Sequence, residues 1–167
     1  KIFDSLIVTP ISAEDAVAGD IAWGAFRGLI SGALMFMVAA AIGAIPASPL
    51  IIILLLPLMA LTGMLFASAS MIVSAFAPNF DFFNYYSELV ITPMFFFSGV
   101  FFPLDKMPEI VKTISLFFPL THAVVLSRAI LSGAFSLALL LNLTALITPC
   151  VIFFYLGIFF MKKRLIK

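Results

Sequence analysis

Charged residues are scarce in this sequence. Only 10% of its 167 residues are Asp, Glu, Lys or Arg, while 64% are apolar; a soluble domain carries ~25% charged residues, so an ordinary globular protein is excluded. Nine Lys+Arg against eight Asp+Glu leave a net charge of +1, neither the basic footprint of a nucleic-acid binder nor an acidic tail. The single cysteine, Cys150, can form no internal disulfide and leaves no Cys/His metal cluster. No G-x-x-x-x-G-K-[ST] occurs, so these residues cannot cradle nucleotide phosphates, and no H-E-x-x-H occurs either. A charged n-region followed by a small-residue cleavage site is also lacking, so these residues are not expected to hold a signal peptide. What the chain does have is 20 Phe and a mean hydropathy of +1.27. Its bulk sits in lipid.

The expected architecture is an all-α membrane protein: an N-terminal surface helix, four transmembrane helices, and a short re-entrant or interfacial helical hairpin before the last span. The chain opens on Lys1-Ile2-Phe3-Asp4-Ser5 without Met, which reads as the middle of a loop and makes a preceding segment expected. Pro10 stops whatever precedes it. Ser12 then reads as an N-cap with Glu14 and Asp15 in the first turn, where the helix dipole favours acids, giving a surface helix over about 12–20 that also carries Asp20. Residues 21–45 contain one charge, Arg27, and would extend about 37 Å as a helix, enough to span with some tilt. Gly24, Gly28 and Gly32 strip one face of it to backbone, which suits close helix packing or a subunit interface.

Pro46-Ala47-Ser48-Pro49 reads as a tight turn, and residues 50–76 return across the membrane past Pro57. Tyr85 and Tyr86 suit the lipid–water interface. The uncharged stretch between Glu88 and Asp105 is short for a crossing unless the helix begins near Asp81, which places the third span at 82–102. From 103 to 133 the pattern changes. Met107, Ile110, Val111 and Ile114 follow helical spacing opposite Glu109 and Lys112, so this segment is amphipathic. Pro119 breaks it, Thr121 reads as the cap of a second short helix, and Gly133 as its stop. Residues 136–161 form the last span, followed by a tail, 162–167, with Lys162, Lys163, Arg164 and Lys167. That cluster favours a cytoplasmic C-terminus. Four crossings then put the N-terminal helix on the cytoplasmic side and the hairpin outside.

Two stretches resemble the ABC-2-type exporter permease family, especially its lipo-oligosaccharide (nodulation-factor) and polysaccharide exporters. The stronger runs from Phe80-Asp81-Phe82-Phe83-Asn84-Tyr85-Tyr86 through Thr92-Pro93-Met94 and Ser98-Gly99-Val100-Phe101-Phe102-Pro103-Leu104 to Pro119-Leu120-Thr121-His122 and Arg128. The weaker is Thr9-Pro10-Ile11-Ser12-Ala13-Glu14-Asp15 followed by Trp23-Gly24-Ala25. The resemblance covers essentially the whole chain, with Glu88 a departure from the family pattern. It implies a bacterial inner-membrane permease subunit that pairs with a second permease, identical or not, and docks on separate ABC ATPase subunits, which hold the ATP and Mg. A family subunit has six spans, so a cytoplasmic helix and two spans would precede this segment. No cofactor, metal or nucleic acid is expected on this chain. The loop around 9–20, with Ser12, Glu14, Asp15 and Asp20, would be the ATPase-coupling element, and the 103–132 hairpin would cap the export path.

Each candidate residue also has a bland reading. Arg27 either faces the export path or reaches lipid headgroups, the usual fate of an arginine near a span end. His122 either titrates near neutral pH or caps a carbonyl left open by the broken helix. Arg128 would hold the hairpin to Glu88, to Glu109 or to a lipid phosphate. Phe97, Ser98 and Gly99 lie where the path would open, yet phenylalanines are by default lipid-facing or core. Sparse span hydroxyls suit a greasy cargo better than an ion. The alternatives are a drug-efflux permease of the same family, a membrane-embedded serine hydrolase using Ser98 or Ser132 with His122, and a non-transporting scaffold subunit.

Overall fold

A computed structural model describes residues 12–46 and 48–165, the side chain of Asp105 excepted. Expectations for Pro10, Ala47 and Lys167 lie outside the described residues. Among those described, every regular element is helical.

Helix α1, Ala13–Ala41, starts where the acids require. The Ser12 hydroxyl accepts the Asp15 N–H at 3.1 Å and donates to the Asp15 carboxylate at 2.7 Å. The expected boundary between a surface helix over 12–20 and a span over 21–45 is absent. Gly19 alone costs about 1 kcal/mol, too little to interrupt a run of otherwise helix-compatible residues, so surface turn and span form one rod. It stops at Ala41, short of 45. The N–H groups of Gly43 and Ala44 turn back to the Ala40 and Ala39 carbonyls at 3.0 and 2.9 Å. That closure needs a left-handed residue, and Gly43 has φ +73°.

Helix α2, Pro49–Phe76, is capped by Ser48, whose hydroxyl accepts the Ile51 N–H at 3.3 Å, and carries Pro57 in its interior. Helix α3 is composite: Asp81–Tyr86, a π-helical turn Ser87–Ile91, and Thr92–Phe97. Pro93 has no N–H to give, and the wider turn before it re-routes the Thr92 N–H to Ser87. The expected span 82–102 is thus cut short at Phe97, because the chain reverses through Gly99 at φ +84°. The rod is about 25 Å long, below the ~30 Å of a hydrocarbon core.

A 3-10 turn, Leu104–Lys106, leads to α4, Glu109–Ser115, and α5, Pro119–Ser132, bent 96° from one another. Pro108 takes the cap position of α4. Thr121 is not the cap of α5. Pro119 occupies the first turn with its fixed φ, so Phe118 takes the cap position. Thr121 is left inside the helix, 1% exposed, its hydroxyl without a partner among the described residues.

Helix α6, Ala138–Leu165, starts later than the expected 136–161 span and runs on through the cations at 162–164. Cations complement the negative end of a helix dipole, so they extend it rather than forming a tail. By length and composition α1, α2 and α6 are each able to cross a membrane, and α4 with α5 passes that test only as a bent pair.

Helix α2 is central, packed against α1, α6 and α5, and α5 also lies on α6. Leu55, Leu58, Leu65, Ala123, Leu126, Leu146 and Cys150 form the core that α2, α5 and α6 share. Outward-facing Met35 and Leu141 are 71% and 73% exposed. Such side chains have no place in water and fit a lipid surface.

Candidate functional site

Three helix ends meet at one end of the bundle. Lys162 Nζ, near the end of α6, lies 2.5 Å from Glu14 Oε1 in the first turn of α1. Arg164 donates to the Ser74 carbonyl, and to the Ala77 carbonyl at 3.0 Å. These carbonyls close α2, where a helix leaves acceptors without partners. The acidic turn and the cationic turn therefore share one surface, with Asp15 and Asp20 exposed beside it and Lys163 exposed as well. Half-exposed Glu14–Lys162 contributes only about 0.2–1 kcal/mol, so the contact sets register more than stability.

Helix α5 occupies the opposite half of the bundle. Its start, Phe118-Pro119, lines a cavity of about 330 Å³ with Leu65, Phe66 and Phe153, near the middles of α2 and α6. Its end turns at Gly133 into the start of α6. Arg128 fixes it laterally: Nη2 donates to the Gly99 carbonyl at 2.6 Å and reaches the Val100 carbonyl at 3.4 Å. The partners expected for Arg128, Glu88 and Glu109, are not the ones it has; the reversal after α3 offers open carbonyls nearer by. Glu109 instead pairs with Lys112 at 3.5 Å. Glu88 is exposed on the π-helical turn, with no ion pair among the described residues.

Between α1, α2 and α5 lies a cavity of about 440 Å³, bordered by Gly28, Thr62, Gly63, Val100, Ser127 and Arg128. Phe97 lines a second recess of about 410 Å³ with Phe96, Phe102 and Lys106. Ser98 is fully buried, its hydroxyl turned onto the Met94 carbonyl of its own helix. His122 Nε2 lies 3.0 Å from the Leu116 carbonyl, left open where α4 ends, and Nδ1 lies 2.8 Å from the Asn142 amide of α6. Neither Ser98 nor Ser132 is a partner of the ring, and the Ser132 hydroxyl returns to Ala129. No nucleophile–base pair is assembled there.

Arg27 is exposed on the outside of α1 and does not border the cavity. Gly24, Gly28 and Gly32 face α2: a Cβ on each would meet Ala67, Gly63 and Met59 at 2.7, 3.2 and 2.9 Å. Their face is used inside the chain. No group of three or more His, Cys, Asp or Glu among the described residues is placed to hold a metal ion. Asn142, Lys162 and Arg164 as cross-helix partners went unseen in the sequence, since nothing in the spacing of residues so far apart signals that they meet.

The family model described as ABC-2 type transporter matches residues 1–132. Nodulation protein J of Rhizobium leguminosarum bv. trifolii is 36% identical over 167 residues, all of this chain and 63% of the relative. Nodulation protein J of Rhizobium meliloti (strain 1021) is 34% identical over 165 residues, 99% of this chain and 62% of the relative. The inner membrane transport permease YadH of Escherichia coli (strain K12) is 26% identical over 121 residues, 72% of this chain and 46% of the relative. The chain thus spans less than two thirds of the length of these relatives. No solved structure matches.

Proposed function

Because this chain belongs to the ABC-2 type transporter family, we propose that it is the membrane-spanning permease part of an ATP-driven exporter for an amphipathic or lipid-linked molecule, a lipo-oligosaccharide or polysaccharide first. It works beside a second permease subunit and on separate ABC ATPase subunits, which bind ATP and Mg. The whole chain serves as one transmembrane permease domain, with α3 and the α4–α5 hairpin together making the crossing between α2 and α6.

The observation that carries this reading is the match to nodulation protein J along the entire chain. The geometry supports it. The joined acidic and cationic turns at one end would face the cytoplasm, where cations accumulate, and would receive the ATPase. The hairpin in the opposite half would gate the outer end. In this scheme nucleotide binding draws the ATPases together and moves the first turn of α1. That motion passes along α1 as a rigid rod and, through Glu14–Lys162, into α6, against which α5 is packed.

The experiment is export in proteoliposomes holding the full-length permease with the ATPase encoded next to it. Expected is lipo-oligosaccharide export that requires ATP and that stimulates hydrolysis. Export indifferent to nucleotide, or Glu14 labelled from the cell exterior, would refute the reading. Turnover stimulated by hydrophobic drugs and not by glycolipids would select the drug-efflux alternative, and ATPase binding without cargo-stimulated turnover the scaffold.

A further inference from the structure

The cavity between α1, α2 and α5 is an open groove with apolar walls and one guanidinium at its edge. Gly28 and Gly63 approach there without side chains, and Thr62 and Ser127 direct their hydroxyl protons to the Leu58 and Ala123 carbonyls of their own helices at 2.8 Å each. Arg128 uses only Nη2 on Gly99 and Val100. Among the described residues its Nη1 and Nε have no hydrogen-bond acceptor and no carboxylate lies within ion-pair distance. Arg128 is exposed, and a guanidinium edge with open donors matches a phosphate or carboxylate in geometry and charge. The volume of about 440 Å³ lies within the ~300–1,000 Å³ range of small-molecule sites. At ~30 Å³ for each group of water's size, it holds roughly fourteen methylenes.

We propose that this cavity binds a single-chain anionic amphiphile, its alkyl chain between α1, α2 and α5 and its phosphate or carboxylate on the free edge of Arg128. The carbonyl contacts of Nη2 hold the guanidinium at the rim, so the anion meets a fixed group rather than a mobile side chain. As the entry point of an anionic cargo the site rests on the exporter reading, but its occupancy does not depend on ATP.

The test is binding of radiolabelled tetradecyl phosphate to the full-length protein in phosphatidylcholine nanodiscs. Expected is affinity about tenfold or more above that of tetradecanol, the increment of a charge-assisted contact. Inorganic phosphate should not compete, and phosphatidylglycerol in the discs should compete weakly. Arg128→Gln should bring the phosphate and the alcohol to equal affinity, while Arg128→Lys keeps part of the difference. Because Arg128 also holds the hairpin, Val124→Phe provides a second variant: it fills the cavity, leaves the cation in place, and should abolish binding of both probes. Equal affinity for the two probes in the unaltered protein, or an undiminished preference in Arg128→Gln, overturns the proposal. Full displacement by phosphatidylglycerol overturns the single-chain assignment in favour of a resident lipid. None of these failures touches the exporter reading, which is tested by the nucleotide dependence of export and by the side from which Glu14 is labelled.

Discussion

A methyl group moved across the α1–α2 seam tests whether that seam is closed within the chain. A Cβ on Gly24 would stand 2.7 Å from the Ala67 Cβ and 3.8 Å from the Ala67 Cα. Carbon atoms prefer ~3.5–4.0 Å, and neither Cβ can rotate away from a helical backbone. Gly24→Ala must therefore push the helices apart. Overpacking of this kind costs about 1–3 kcal/mol, against a helix-propensity gain of about 1 kcal/mol, so the net effect is a loss of up to about 2 kcal/mol. Gly19→Ala is the control: it lies on the same helix with nothing within 4 Å of the new Cβ, and should show the gain alone, about 0.5–1 kcal/mol. The double variant Gly24→Ala/Ala67→Gly leaves the new Cβ at 3.8 Å from the Cα of residue 67, an ordinary contact. It should return close to the parent stability, with a coupling of about 1–3 kcal/mol between the two sites. The assay is the thermal unfolding midpoint of the full-length protein in detergent, read by far-UV circular dichroism. If Gly24→Ala raises the midpoint as Gly19→Ala does, or if the double variant is no better than the worse single one, α1 does not close on α2 through this face.

Three further outcomes follow from the ties at the two ends of the bundle. Glu14→Cys with Lys162→Cys should be linked by a short bismaleimide, whose reach suits two side chains that meet tip to tip, whereas Lys162→Cys with Met35→Cys, far along α1, should not; failure of the first pair would part α1 from α6. Arg164→Ala leaves the last carbonyls of α2 to water at a cost of about 0.5–1.5 kcal/mol, visible as faster amide hydrogen exchange at residues 77–81, and unchanged exchange there would dismiss the capping role. Gly99→Ala forces a side chain into a left-handed conformation at about 1–2 kcal/mol and sets its Cβ 3.0 Å from Leu104. It should open the 100–108 segment to protease and lower export without lowering ATPase binding; a wild-type digestion pattern would count against it.

Short-range chemistry was legible in the sequence and long-range contacts were not. Ser12 with Glu14 and Asp15 announces a helix start because the capping partners lie within one turn. Gly133 announces a stop for the same reason, and Pro119 the break between α4 and α5. The reading failed where the competing signals were of different kinds. A change in polarity suggests a boundary at residue 20, but polarity decides where a helix sits, not whether it continues. The third span was extended to 102 because apolar residues continue past Phe97, while backbone reversal at Gly99 depends on a dihedral angle that hydropathy does not register. Charge alone suggests Glu88, Glu109 or a lipid phosphate as the partner of Arg128. The guanidinium found main-chain carbonyls instead, since every chain reversal exposes such acceptors and no sequence pattern advertises them.

Hydroxyl groups in the spans bear on what such a path could carry. Thr62, Ser68, Ser74, Ser98, Ser127, Thr144 and Thr148 each donate to a carbonyl of their own helix, three or four residues earlier. A proton already directed to the backbone is withdrawn from any ligand, so these residues count as polar in composition yet present mostly methylene surface and a lone pair. A hydrated anion would need a continuous file of free donors to replace its shell, and back-bonded hydroxyls provide none. An alkyl chain needs only width and apolar walls, and the headgroup needs one fixed opposite charge. Arg128, with one nitrogen anchored and its other edge open, differs from every hydroxyl around it in that respect, which makes it the residue on which selectivity for an anionic amphiphile would turn.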